Sequence, residues 1–334
     1  MDARAFLRQN IVIDGHLDLL CDVLYQHRRG RRRVILDDYM PDWRAGGVDC
    51  VVSSLYCDEG CDYLSEALRQ IAAFEDELAE SGGEFFLATR GADIRRAHAT
   101  GAVAIMLSFE GVEPLSGEVN FMRLFHRLGV RFAGLCWSRA NWAADGSRFG
   151  DAGYAGTGLT EPGGRLLELM RELRVLPDVS HINDTGFWQV LECAKQPVIA
   201  SHSNCRAISD ITRNIDDRQI AAIAKSGGVI GVNGVSMIAR ADTQAAADMN
   251  TLIRHMLHIK KVAGAQCLAI GLDQCDRLKP DAHTTVDSDS FDIIPRYAQL
   301  AEFVEAVSQA DFTEEEIRGF LGANLLRVIE SAIG

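Results

Sequence analysis

Five side chains able to hold divalent metal recur along this 334-residue chain: His16, Asp18, Glu110, His181 and His202. His16 and Asp18 are two apart, so in extended backbone both face one side and can reach one cation together. An imidazole nitrogen plus a carboxylate oxygen is a half-site suited to a borderline cation such as zinc. Taken alone, the triplet also reads as a surface histidine beside a helix-capping aspartate. Glu110 emerges from the apolar run Ile105-Met106-Leu107-Ser108-Phe109, where a carboxylate needs a cation, a proton or an ion pair with Arg139 or Arg213. His181 and His202 close the runs VLPDVSH and PVIASH, each directly after a serine. Lone buried histidines are usually hydrogen-bonded core residues, but two at equivalent strand ends complete a two-ion set. In it Glu110 is shared, His16 and Asp18 serve one ion, and His181 and His202 serve the other. Two such ions lower the pKa of a bridging water to about 7 and polarise a carbonyl.

Water made acidic in this way still needs a group to take its proton and pass it to a leaving amine. Asp273, after the apolar run CLAIGL, is the candidate, with Asp276 as its rival three residues on. Arg213, in ITRN, offers a planar fork of donors that fits a substrate carboxylate; its other reading is an outer ion pair.

These groups work only if a scaffold gathers them, and barrel enzymes do so at the C-terminal ends of their strands. Eight short apolar runs recur: 11–16, 49–56, 102–111, 131–138, 175–181, 197–204, 228–234 and 267–274. Segments with helical spacing lie between them at about 62–81, 119–128, 162–172, 185–194, 216–226 and 246–263. The alternation predicts an α/β fold, a (β/α)8 TIM barrel rather than an open doubly wound sheet. Residues 28–48 and EFFLATR at 84–90 read as small N-terminal additions, a hairpin beside the barrel. The tail from about 283 to 334 reads as a connecting segment followed by C-terminal helices, with Asp311 or Thr313 capping EEEIRGFL. No repeat or linker divides the chain, so residues 1–334 are expected to form a single domain.

Composition narrows the partners. A net charge of -13 argues against nucleic acid, which is bound through a basic face. The basic run Arg28 to Arg33 reads as a solvated loop near the barrel mouth, with a contact for an anionic substrate group as the second reading. No stretch approaches the ~20 apolar residues of a membrane span, and the charged start lacks the apolar core of a secretory signal. Nine cysteines at irregular spacing suit a reducing compartment, so a cytoplasmic location is expected. Cys57 and Cys61, four apart with no completing ligands, read as ordinary thiols.

Taken together, DGHLD, LSFEG, DVSH, ASHSN, TRN and IGLD, in this order and at these intervals, resemble the membrane (renal) dipeptidases. These are binuclear zinc enzymes of the amidohydrolase-like barrels, and the resemblance runs over nearly the whole chain. It implies that His16, Asp18 and Glu110 bind one zinc and Glu110, His181 and His202 the other. It also implies that Asp273 shuttles the proton, that Arg213 holds the substrate's C-terminal carboxylate, and that the chain forms a homodimer.

Two positions depart from that pattern. The family carries a histidine in an L-T-H-N-x-x-N segment, where it helps bind the scissile carbonyl oxygen. Here the stretch is Leu135-Cys136-Trp137-Ser138-Arg139-Ala140-Asn141, with Trp137 in the histidine's place. An indole donates one hydrogen bond and carries no charge. Loss of such a donor typically costs about 100- to 1000-fold in turnover unless another group replaces it, and Arg139 is the candidate replacement. At the eighth strand the family's G-x-D-F-D-G becomes Gly271-Leu272-Asp273-Gln274-Cys275-Asp276, which shifts the second carboxylate by one place. The expected function is a metal-dependent hydrolase cleaving a dipeptide amide. Trp137 favours an alternative, a hydrolase of another small amide, lactone or N-acyl amino acid. A third reading, a metal-bound but inactive barrel serving as a binding subunit, is opposed by the presence of Asp273.

Overall fold

Seven of the eight apolar runs become strands in the computed structural model, which describes residues 1–148, 156–240, 247–278 and 289–334. They are β1 (Ile13–Leu17), β2 (Cys50–Leu55), β4 (Val103–Glu110), β5 (Val130–Gly134), β6 (Leu176–Asp178), β7 (Ile230–Val232) and β8 (Leu268–Ile270); a short extra strand, β3 (Phe85–Leu87), lies between β2 and β4 in the chain. All pairings are parallel, in the order β6-β5-β4-β2-β1-β8-β7. The remaining run, the sixth (197–204), closes the ring, though only as isolated bridges: Ile199 pairs with Asp178 of β6 and Ala200 with Ile230 of β7. The fold is therefore the expected (β/α)8 barrel.

The sixth run packs closely against its surroundings. The Ser201 carbonyl is turned against Gly231 and Gly271, where an added Cβ would fall far inside contact distance, and it approaches the Cβ position of Gly15 at 3.3 Å. Backbone bonds to β7 nevertheless continue on both sides of Ser201, from Gly231 N to the Ala200 carbonyl (2.8 Å) and from Ser203 N to the Gly231 carbonyl (2.8 Å), and His202 lies between them.

The helices start where short polar residues cap them. Asp62, Thr160, Asn183, Asp216 and Asp248 each accept a backbone N–H at the start of Tyr63–Glu80, Glu161–Leu173, Asp184–Cys193, Asp217–Ser226 and Met249–Ala263. Thr313, not Asp311, caps Glu314–Arg318 in a reciprocal box with Glu316. The last helix, Asn324–Ala332, lies at the N-terminal end of the barrel, where Leu325, Leu326, Val328 and Ile329 cluster with Ile13, Val52, Ala104 and Met106. That leaves the opposite end open for a site.

The N-terminal additions differ from the expected hairpin. Residues Ile35–Tyr39 form a wide helical turn running into the helix Met40–Gly46, and β3 adds to β4 in parallel, Phe85 opposite Val103. The helix Leu19–Arg28, which the sequence reading missed, begins directly after Asp18. Residues 283–288 of the expected connecting segment lie outside the described residues. Among the described residues, no helix is long and apolar enough to cross a membrane, and all nine cysteines are free thiols.

Candidate metal centre

β1 and β2 lose register between Asp14 and Leu17, so the extra residue bends β1 where His16 sits. Asp14 fixes this bend. Its Oδ1 accepts from the backbone of His16 (3.2 Å) and of Leu272 beyond β8 (3.1 Å), and its Oδ2 accepts from the Tyr297 hydroxyl (2.7 Å). His16 is thereby held inward at 2% exposure, which removes the reading of a surface histidine. Asp18 occupies the N-cap position of Leu19–Arg28 but makes no side-chain cap bond, which removes the capping reading as well. Its carboxylate accepts instead from the Ser54 hydroxyl and lies 3.8 Å from Nε2 of His16.

Glu110, at the end of β4, stands between two groups of donors. Its Oε2 lies 3.5 Å from Nε2 of His16, while its Oε1 lies 2.9 Å from Nε2 of His181 and 3.5 Å from Nε2 of His202. The two imidazoles approach each other at 2.8 Å between Nε2 atoms. His16–Asp18–Glu110 and Glu110–His181–His202 thus form two clusters with Glu110 common to both. A third cluster joins Asp273 to His16 and His202, with Asp273 Oδ1 3.7 Å from Nε2 of His16. Neither arginine considered as an ion-pair partner is spent on Glu110. Arg139 pairs with Glu113 at 3.3 Å, and Arg213 bonds the Ser203 hydroxyl (2.9 Å) and the His202 carbonyl (2.8 Å).

The imidazoles are held from behind. Ser201 Oγ donates to Asp178, which as a carboxylate only accepts, so Oγ is left to accept from Nδ1 of His202 at 2.7 Å. That tautomer turns a bare Nε2 lone pair into the cluster. Ser138 Oγ stands 2.7 Å from Nδ1 of His181 in the same way. Nε2 of His16 and Oε2 of Glu110 are buried without a hydrogen-bond partner. Lone pairs and carboxylate oxygens converging with too few protons between them require positive charge, and this donor set fits two divalent cations.

The electrostatics of the bare cluster agree. Burial works against a charged His16, yet Glu110, Asp273 and Asp18 raise it to about 10. Burial also pushes the Glu110 carboxyl up, but His16, with His181 and His202, holds it well below the usual range. His181 falls to about 4, through burial and then the Arg213 charge. Burial lifts Asp273 to about 6 against the opposing pull of His16, and Asn233 Nδ2 donates to its Oδ2 at 2.9 Å. Both His181 and Asp273 adopt left-handed backbone, with φ of 70° and 56°. Side chains rarely hold that conformation without a surrounding structure that enforces it.

A cavity of about 650 Å³ opens onto the centre. One face of Leu19–Arg28 lines it at i, i+3 and i+4 spacing through Cys21, Asp22, Tyr25 and Arg28, and Arg29 at the helix end joins them. Arg28 is paired with Glu66 at 2.6 Å, and Arg29 lies over the Tyr25 ring, so the basic run does reach the barrel mouth. Trp137, Arg213 and Asp273 also line the cavity. Arg139 does not reach that lining: its guanidinium bonds the Cys57 carbonyl (2.8 Å) behind the Tyr56 and Trp137 rings. Asp276 is turned to the loop and away from the cavity lining, and its Oδ2 accepts from the backbone of Asp292 (3.0 Å).

Sequence reasoning missed Asp14, Ser54, Ser138, Asp178, Ser201 and Asn233, which hold the candidate ligands and Asp273 in place. A usable signal existed for two: Asp14 and Asp178 each precede a histidine within the same strand-end motif, DGH and DVSH.

Comparison with known proteins matches residues 1–333 to the family profile described as membrane dipeptidase, peptidase family M19. An uncharacterised protein of Klebsiella pneumoniae, from the pqqA 5' region, is 30% identical over 267 residues, 79% of this chain and 94% of that protein. Among solved structures, the dipeptidase AC, a metallopeptidase of family M19, superposes with a TM-score of 0.85 at 26% identity, covering 97% of this chain and 99% of its own. A metallopeptidase from Rhodobacter sphaeroides, liganded with a phosphinate mimic of the dipeptide L-Ala-D-Ala, gives 0.85 at 25% identity with the same coverage.

Proposed function

The chain belongs to the membrane dipeptidases, peptidase family M19, and from that premise we propose that it hydrolyses the amide bond of a dipeptide at a pair of zinc ions. One observation carries the reading: Glu110 presents one oxygen to His16 and the other to His181 and His202, with buried, unpartnered atoms between them. His16, Asp18 and Glu110 would hold one ion and Glu110, His181 and His202 the other. When bound, the ions supply Lewis acidity toward the scissile carbonyl and an acidified water.

The chain's own groups do the rest. Arg213 is buried with an unpartnered Nε and lines the cavity, so it anchors the carboxylate of the C-terminal residue and fixes which amide is presented. Asp273 keeps Oδ2 on Asn233 while Oδ1 faces the cluster, which lets Oδ1 take the proton of the attacking water and return it to the leaving amine. Ser138 and Ser201 hold two imidazoles in orientation. Residues 1–334 act as one domain, because the helix Asn324–Ala332 packs on the strands that carry the site. Nine free thiols support a cytoplasmic location, and family membership supports a homodimer.

Amine release from a panel of L,L- and L,D-dipeptides, with a chelated sample and Asp273→Asn as controls, tests the proposal. Turnover that needs both metal and Asp273 is expected. Metal uptake with no dipeptide cleaved would transfer the reading to another small amide, lactone or N-acyl amino acid, which Trp137 in place of a polar donor favours.

A further inference from the structure

Trp137 and Tyr56 line the cavity, yet the chemistry above does not use them. The Trp137 ring lies nearly parallel to that of His181, with centres 5.5 Å apart and 27° between planes, and its centre is 5.9 Å from that of Tyr56. Arg139 holds both rings from behind, its guanidinium 5.3 Å from the Trp137 centre and 5.7 Å from the Tyr56 centre. Glu113 and the Cys57 carbonyl keep that guanidinium in place. The backbone is clamped too, since a Cβ at Gly146 would collide with the Trp137 carbonyl and one at Gly111 would stand 3.2 Å from its nitrogen. The indole is a fixed plate, already ordered for an apolar group to stack on.

The rim divides into two arcs. Trp137 follows β5, Tyr56 follows β2, and Tyr25 stands on the helix after β1. Arg213 follows the sixth run, Val235 and Ile238 follow β7, and Asp273 follows β8. If Arg213 holds the leaving residue's carboxylate and Asp273 protonates its amine, the acyl residue is directed toward the first arc. We propose that Trp137 and Tyr56 form the subsite for the side chain of that N-terminal residue and select a bulky apolar one, aromatic above all. The proposal rests on the dipeptidase reading for its orientation.

Two readouts separate the subsite from the activity. Steady-state kinetics with L-Phe-L-Ala and L-Ala-L-Ala are expected to favour the aromatic substrate by about 10-fold or more in kcat/KM. Trp137→Ala should lower kcat/KM for L-Phe-L-Ala by about 10-fold more than for L-Ala-L-Ala, with the difference falling in KM, and Trp137→Phe should restore the preference. Calorimetric binding of phosphinate mimics of the same two dipeptides to zinc-loaded protein should show the same preference without turnover. A preference in binding with no dipeptide cleaved would keep the subsite and overturn the dipeptidase reading. Turnover and binding indifferent to the aromatic ring, with both Trp137 variants like wild type, would overturn the subsite and keep the activity.

Discussion

A ligating imidazole needs its second nitrogen held, and here serine hydroxyls are placed to do this for His202 and His181. Ser201 couples His202 to Asp178, and Ser138 meets His181 from the loop after β5. Ser138→Ala and Ser201→Ala should each lower metal affinity by about 10- to 100-fold, as loss of such a partner typically does. Competition against a chromophoric chelator measures this, and wild-type affinity in both variants would show that the hydroxyls do not matter. Glu110→Gln should reduce occupancy at both positions, whereas Asp18→Asn should reduce it at one, and elemental analysis after dialysis tells these apart. The clustering of His16, Asp18, Glu110, His181 and His202 was legible in the sequence because each polar group ends an apolar run that exits at the barrel rim. The supporting residues were not, because serine, asparagine and aspartate are common and partners such as Asp178 for Ser201, His181 for Ser138 and Asp273 for Asn233 lie 23 to 43 residues away in the chain. Arg139 was misplaced for a similar reason: nothing in the linear pattern shows that Glu113 and the Cys57 carbonyl draw it out of the cavity.

At the level of elements, the helices could be located from their caps, while the sixth strand could not be sized from its residues. PVIASHSN is apolar enough for a full strand but pairs only through isolated bridges, and glycines on β7 and after β8 admit its Ser201 carbonyl. Gly271 also sets the place of His202, whose Cα would stand 3.2 Å from an added Cβ. Gly271→Ala should therefore cost about 1–3 kcal/mol in stability through overpacking and displace His202, so metal affinity falls with the denaturation midpoint. Unchanged metal affinity in a destabilised variant would mean that His202 does not depend on this contact. The helix Met249–Ala263 is tied to the same region by His255, whose Nδ1 accepts from the backbone of Cys205 (3.1 Å) and whose Nε2 donates to the Ala239 carbonyl (2.8 Å). Burial lowers this imidazole to about 4 from an ordinary value of 6.5. Unfolded chain then binds the proton first, so the stabilisation is complete above about 6.5 and is lost as pH falls toward 4, up to about 3 kcal/mol. In chelator, His255→Gln should be less stable than wild type at pH 7.5, and the gap should narrow by pH 5. A constant gap in urea midpoints across that range would exclude the titration.

For the molecule as a whole, the barrel separates what stabilises it from what it does. One end is filled by the helix Asn324–Ala332, and the other gathers Asp18, Glu110 and Asp273 around a few imidazoles. Carboxylates brought together in a buried place oppose folding unless positive charge joins them, and in a chain of net charge -13 little surplus positive charge exists elsewhere to offset this. The ions should accordingly act as structural as well as chemical partners. Free metal at about 1,000 times Kd adds roughly 4 kcal/mol per ion to the folded state. Unfolding entropy grows with chain length, so in a chain of 334 residues that corresponds to a rise in Tm of roughly 10–12 °C for the filled pair. Melting curves of chelated and zinc-loaded protein should differ by that amount. In Glu110→Gln the difference should shrink toward zero, because the shared ligand is gone while the rest of the barrel is kept. Asp273→Asn should keep the full difference if Asp273 only moves protons, and lose part of it if Asp273 also ligates, as its approach to His16 and His202 allows. Coincident curves for chelated and loaded wild-type protein would show that the cluster folds without needing metal, and the two-ion reading would fall with them.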